Sequence, residues 1–185
     1  MQRSVRGAHY TVSASSLTLA PALLSCCRAR QTIVFEALAS DAMFLQTKES
    51  HEIMKLTGEI LITLALVVTA LGSLIHDWNK THVFNPEWTA HARFHAASGV
   101  AINFALGLLG FWLLLRGGFD DQQTLLLCSL IPVIAWGSFF VAILVPGSRA
   151  EDHPGQIPRL LGMPINMVLA GTFCLMSIAG YLLAR

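Results

Sequence analysis

The stretch LTGEILITLALVVTALGSLI, residues 56–75, carries a single charge, Glu59, close to its start. A helix needs about 20 apolar residues to cross a hydrocarbon core of about 30 Å, and this stretch has that length and composition. Three more segments read the same way: 96–115, AASGVAINFALGLLGFWLLL; 125–146, LLLCSLIPVIAWGSFFVAILVP; and 163–183, which begins beside Pro164. The second ends at Arg116-Gly117-Gly118, a good helix stop. The third holds Pro132 in its interior, where a membrane helix tolerates proline with a kink if neighbours re-satisfy the backbone. No period-2 alternation supports a β-barrel. The expected fold is all-α: an integral membrane four-helix bundle with a structured loop between its first two helices.

Composition agrees. Of 185 residues, 54% are hydrophobic and 12% charged, and the mean hydropathy is +0.60, outside the range of ordinary soluble domains. The lipid bilayer is thus the expected partner. A net charge of +1 without a basic run removes the electrostatic footprint of nucleic-acid binding. The adjacent Cys26 and Cys27 and the single Cys128 and Cys174 form neither a zinc ribbon nor a secreted disulfide framework.

Residues 1–53 differ in kind from 54–185. Arg3, Arg6, Arg28 and Arg30 precede any acidic residue and serines are frequent between them, the composition of a transit peptide. A poorly structured extension, a signal-like segment and an incorrect start with Met54 opening the membrane domain are the competing readings. Four spans place the N-terminal segment, the 116–124 loop and the C-terminus on one side. Counting Lys48, Lys55, Arg116, Arg185 and the four leader arginines against Lys80, Arg93, Arg149 and Arg159 favours both termini on the cytoplasmic or matrix side. A start at Met54 reduces that count to three against four.

The chemistry concentrates after the first span, from His76-Asp77-Trp78-Asn79 through Thr81-His82, Asn85-Pro86 and Trp88 to His91-Ala92-Arg93-Phe94-His95. With Asp152 and His153, five of the seven histidines face one membrane surface. His91 and His95, spaced i, i+4 at the entry of the second helix, share a face with Gly99, and Asn103 sits at its edge. A polar Asn inside a span faces a helix or a cavity, not lipid. The expectation is a polar funnel in which Asp77, His91 and His95 are the catalytic candidates and His82, Asn85, Arg93 and Asn103 the ligand-binding ones. The candidate cofactor is a divalent metal on His91 and His95, with a third ligand from His76, His82 or His153, or from Asp77 or Asp152. A metal-free site would instead exchange protons between a histidine and Asp77.

A plainer reading competes: Trp78 and Trp88 form an interfacial belt, Asn85-Pro86 is a turn, and Arg93 snorkels or pairs with Asp77 or Glu87. Asn79-Lys80-Thr81 matches a glycosylation sequon set close to the membrane. Ala97, Ala101, Ala105, Gly99 and Gly107 have the small-residue spacing of close helix packing.

Met54-Lys55-Leu56-Thr57-Gly58, Asp77-Trp78-Asn79, Thr81-His82, Phe84-Asn85-Pro86, Trp88 and His91-Ala92-Arg93-Phe94-His95 together resemble a family of small four-span membrane proteins of bacteria and fungi, a domain of unknown function. The resemblance covers most of 54–185 and implies that 1–53 is an addition to the core. It brings no reaction with it, and the residues carry no acetyl-CoA-binding signature. Two functions follow as expectations: an enzyme or binder acting on a lipophilic small molecule, and a membrane scaffold whose polar loop is a structural cap.

Overall fold

The computed structural model describes residues 19–151, 153 and 155–185, with side chains from residue 36 except residue 37. Much of the leader expected in 1–53, including its first two arginines, lies outside the described residues. The chain divides into two compact units, Met1–Glu49 and Ser50–Arg185. In the first, the described residues are helical from Leu19 onward.

Among the described residues there are four helices: α1 (Leu19–His76), α2 (Ala90–Gly117), α3 (Gln122–Ala142) and α4 (Ile165–Ala184). Each contains a segment long and apolar enough to cross a membrane, in α1 within Leu38–His76. The fold is the expected all-α membrane four-helix bundle. Both short connections are capped by side chains. Thr89 Oγ1 accepts from Ala92 N at 3.2 Å to start α2, and Asp121 Oδ2 accepts from Thr124 N at 2.8 Å to start α3, satisfying amides that a helix start leaves orphaned. Hydrogen bonds from the Thr124 hydroxyl and the Thr124 backbone amide hold the Asp121 carboxyl below the usual carboxylate range.

The helices alternate in direction. Asn103, Gly107 and Gly110 of α2 lie against Ser73, Ala70 and Leu66 of α1. Ser177 donates to Ser129 O at 2.8 Å and Cys174 meets Val133 O at 3.8 Å, so α3 and α4 are antiparallel as well. Gly58 and Gly180 bring α1 onto α4: a Cβ on Gly58 would lie 2.5 Å from Gly180 O. Small residues allow this closeness, because between lipid-soluble helices the attraction is packing and hydrogen bonding, not exclusion from water. Gly107 and Gly110 form the tight seam. Ala101 and Ala105, expected to share in it, are exposed, because the buried stripe of α2 runs through Val100, Gly107 and Gly110.

Large side chains point outward, with Ile102 and Leu115 of α2 58% and 87% exposed. A core of Ile62, Leu66, Leu125, Cys128, Ile131 and Ala184 fills the interior. Helix α3 runs unbroken through the buried Pro132. The Ser129 and Val133 carbonyls near it meet the Ser177 hydroxyl and Cys174 thiol of α4, which ties this part of α3 to its neighbour.

At the end where α1 gives way to α2, α3 also gives way to α4, through residues 143–164. That connection ends in a two-stranded hairpin, β1 (Arg159–Leu160) and β2 (Met163–Pro164), in antiparallel register. Its turn residues, Leu161 and Gly162, have φ of 53° and 80°, as a primed hairpin turn demands. Leu161 takes this left-handed position at a cost of about 1 kcal/mol and is 89% exposed. The opposite end is joined by an exposed ion pair between Lys55 of α1 and Asp120 of the α2–α3 turn, which agrees with the expected placement of both on one side.

Candidate functional site: the α1–α2 connection

The loop from Asp77 to Thr89 folds on its own polar groups. Asn79 donates its side-chain amide to the His76 carbonyl and accepts at Oδ1 from both the backbone amide and the hydroxyl of Thr81, at 2.7 and 2.6 Å. Asn85 repeats the device, accepting from Glu87 N at 2.9 Å and donating to Thr81 O at 3.3 Å. Such side-chain turns let Asn organise a chain that is neither helix nor strand. Val83 is buried beneath the loop. Trp78 packs edge-on against Phe84, and Trp88 against His82, with ring centroids 5.6 and 5.8 Å apart. The expected interfacial tryptophans are thus also the loop's walls.

Asp77 stands at the carbonyl end of α1, where the helix dipole already disfavours a negative charge. Burial pushes its carboxyl above the usual carboxylate range, against the lowering influence of His82, a Ser73 hydroxyl bond and His76. His82 Nε2 lies 3.9 Å from Asp77 Oδ1. Its tautomer follows from the neighbours. The Thr81 hydroxyl proton goes to Asn79, so His82 Nδ1, 2.9 Å from Thr81 Oγ1, is the donor in that contact. In neutral His82 the accepting nitrogen is therefore Nε2, which faces Asp77.

From Asp77 the polar contacts run into the bundle. Ser73, whose hydroxyl lowers the Asp77 carboxyl, also accepts the backbone amide of Asp77 at its carbonyl, at 2.8 Å, and Asn103 Nδ2 at its hydroxyl, at 2.8 Å. One turn deeper on α1, Thr69 Oγ1 accepts from Trp136 Nε1 of α3 at 3.0 Å. Asn103 is therefore turned toward a helix, as a polar residue in a span should be. Ser73, Thr69 and Trp136 were not among the sequence candidates. The signal for two of them is present in the sequence: Thr69, Ser73 and Asp77 recur every four residues and so share one face of α1.

His91 and His95 occupy the first turns of α2, with Nε2 atoms 3.0 Å apart. Both rings are exposed, as is Gly99. The expected stripe exists, but it lies on the outer side of α2, while Asn103 joins the inner chain from Asp77. The structure brings Asp77 to His82 and His91 to His95, and among the described residues it forms no ion pair between the two sets. Arg93 is exposed and makes no ion pair among the described residues, with Asp77 and Glu87 included. Among the described residues no third His, Cys, Asp or Glu completes a metal-holding group. The His91–His95 pair offers two imidazoles, whereas protein zinc sites use three or four ligands. Asp152, a candidate third ligand, lies outside the described residues, and His153 is exposed.

No curated protein and no solved structure matches this chain. A family model does, over residues 61–185, which run from α1 three residues past Gly58 to the C-terminus and take in the loop just described. On that match the chain belongs to the family of unknown function DUF6640.

Proposed function

We propose that this chain is a membrane-embedded binding or scaffold protein in which the 77–89 loop is a structural cap on the α1–α2 end of the bundle. The observation that carries this reading is the disposition of the Asn side chains: Asn79 and Asn85 each both donate and accept within the loop and its junction with α1 at His76. Groups so engaged are not held ready for a ligand. The cap then presents a supported, pre-formed Asp77–His82 pair at the membrane surface.

The test is the thermal stability of the purified chain in neutral detergent. Asn79→Ala removes three hydrogen bonds and Asn85→Ala two, at about 1 kcal/mol per bond, and both changes should lower Tm clearly. His91→Ala/His95→Ala should leave it near that of the parent. Unchanged stability in both asparagine variants would remove the cap.

A second reading is favoured by the upward-shifted carboxyl of Asp77 facing an accepting His82 nitrogen. Such a pair could exchange one proton with a lipophilic small molecule arriving from the bilayer. Its signature would be an infrared band of a protonated carboxyl near neutral pH that disappears in Asp77→Asn.

A further inference from the structure

The connection between α3 and α4 borders an open pocket of about 370 Å³ on the same end of the bundle as the cap. Phe140, Ile143 and Met167 give it an apolar wall, and Arg149, Glu151 and Arg159 bring charge to it. Its size falls in the range of small-molecule sites. The charges are unequal in consequence. Glu151, with a side chain only 9% exposed, pairs with Arg159 and accepts from Gly155 N at 3.2 Å, while Arg159 also donates to Gly162 O at 3.1 Å. That pair cancels itself and fixes the hairpin over the cavity. Arg149 has no ion-pair partner among the described residues, so one cation is left beside an apolar wall.

Residues beside the lining in the chain point to where a ligand would enter. Leu161, at the hairpin tip, is 89% exposed in a strained backbone position, and Leu144 is 78% exposed. Large apolar side chains held outward at the ends of two spans suit contact with the acyl boundary of a bilayer, not with water. We propose that this cavity binds an amphipathic anion, its acyl chain entering from the bilayer against Phe140, Ile143 and Met167 and its anionic head on Arg149. The head is a carboxylate of a free fatty acid or the phosphate of an acidic phospholipid. The inference stands apart from the cap and does not depend on it.

The experiment uses the full chain in phosphatidylcholine vesicles, with doxyl-labelled stearate, phosphatidic acid and phosphatidylcholine as electron-spin-resonance probes of protein-bound lipid. At least one anionic probe should show a saturable site and associate about tenfold more strongly than phosphatidylcholine, equal to about 1.4 kcal/mol. Arg149→Gln should remove that preference, and Met167→Trp, which fills the cavity, should remove the saturable component. Preference for stearate alone identifies a fatty acid, and preference for phosphatidic acid a lipid phosphate. Equal association of all three probes with the unmodified chain would overturn the proposal whether or not the variants fold, and so would a preference that survives Arg149→Gln.

Discussion

Trp136 Nε1 donates to Thr69 Oγ1 at 3.0 Å, tying α3 to α1 across the bundle. Thr69 is 1% exposed, and its hydroxyl proton is already committed to Ala65 O at 2.8 Å. The two partners are therefore not equivalent. Removing the indole leaves the hydroxyl satisfied, whereas removing the hydroxyl strands the indole N–H. Thr69→Val keeps the shape and should cost about 1–3 kcal/mol. In a Trp136→Phe background the same change should cost less, by a coupling of about 0.6 kcal/mol and at most about 1.7. Unfolding of the four proteins in a mixed-detergent titration would measure it, and equal costs in both backgrounds would mean the bond contributes nothing.

The glycines of α2 make a sharper contrast. A Cβ on Gly107 would come within 2.4 Å of Ala70 Cβ, while one on Gly99 would meet nothing within 4 Å. Gly107→Ala should destabilise by about 1–3 kcal/mol through forced separation of α1 and α2. Gly99→Ala should stabilise by about 0.4–1 kcal/mol by restricting the unfolded chain. The same unfolding assay separates them, and a neutral Gly107→Ala would show that the seam is looser than its geometry.

The difference between these glycines marks the limit of what the sequence reveals. The four spans are legible because hydropathy and length depend on local composition: the expected 56–75, 96–115, 125–146 and 163–183 lie largely within α1 to α4. Which side of a span faces inward is less legible, since lipid and protein interior are alike in polarity. Ala101 and Ala105 have the right spacing for a seam and still face outward, whereas Asn103 reads as inward-facing because its amide has no partner in lipid. The cap's residues stand out as a polar cluster, but their pairings do not. The four-residue spacing joins Asp77 to Ser73 on one face of α1, but nothing local joins Asp77 to His82 in preference to His91 and His95. The hairpin at 159–164 is concealed for a different reason, since Leu161 occupies a turn position where Asn or Gly would have announced it.

Metal content follows from ligand count. The His91–His95 pair supplies two exposed imidazoles, and among the described residues no third ligand joins them. After dialysis against a mild chelator, the purified chain should retain well under about one equivalent of zinc, iron or manganese, since durable zinc sites use three or four protein ligands. About one equivalent retained by the parent and lost in His91→Ala/His95→Ala would show a site completed by a group beyond those described.

Asp77 gives the bundle a pH response of defined sign. Its carboxyl is raised above 3.8 in the folded chain, chiefly by burial. The folded state thus binds the proton more tightly than the unfolded state does, and the stabilisation from protonation is fully present below 3.8. It is lost as pH rises through the raised value, because the folded chain must then hold a charge at the carbonyl end of α1. Asp77→Asn keeps the shape and a hydrogen-bonding side chain while removing the charge. Its Tm should exceed that of the parent at neutral pH, and the gap should narrow as pH falls through the raised value toward 3.8. Thermal unfolding of both proteins across that interval is the measurement. A variant less stable than the parent at neutral pH would mean that the Asp77 carboxylate is held charged by His82 and Ser73, and that their attraction outweighs the cost of burial.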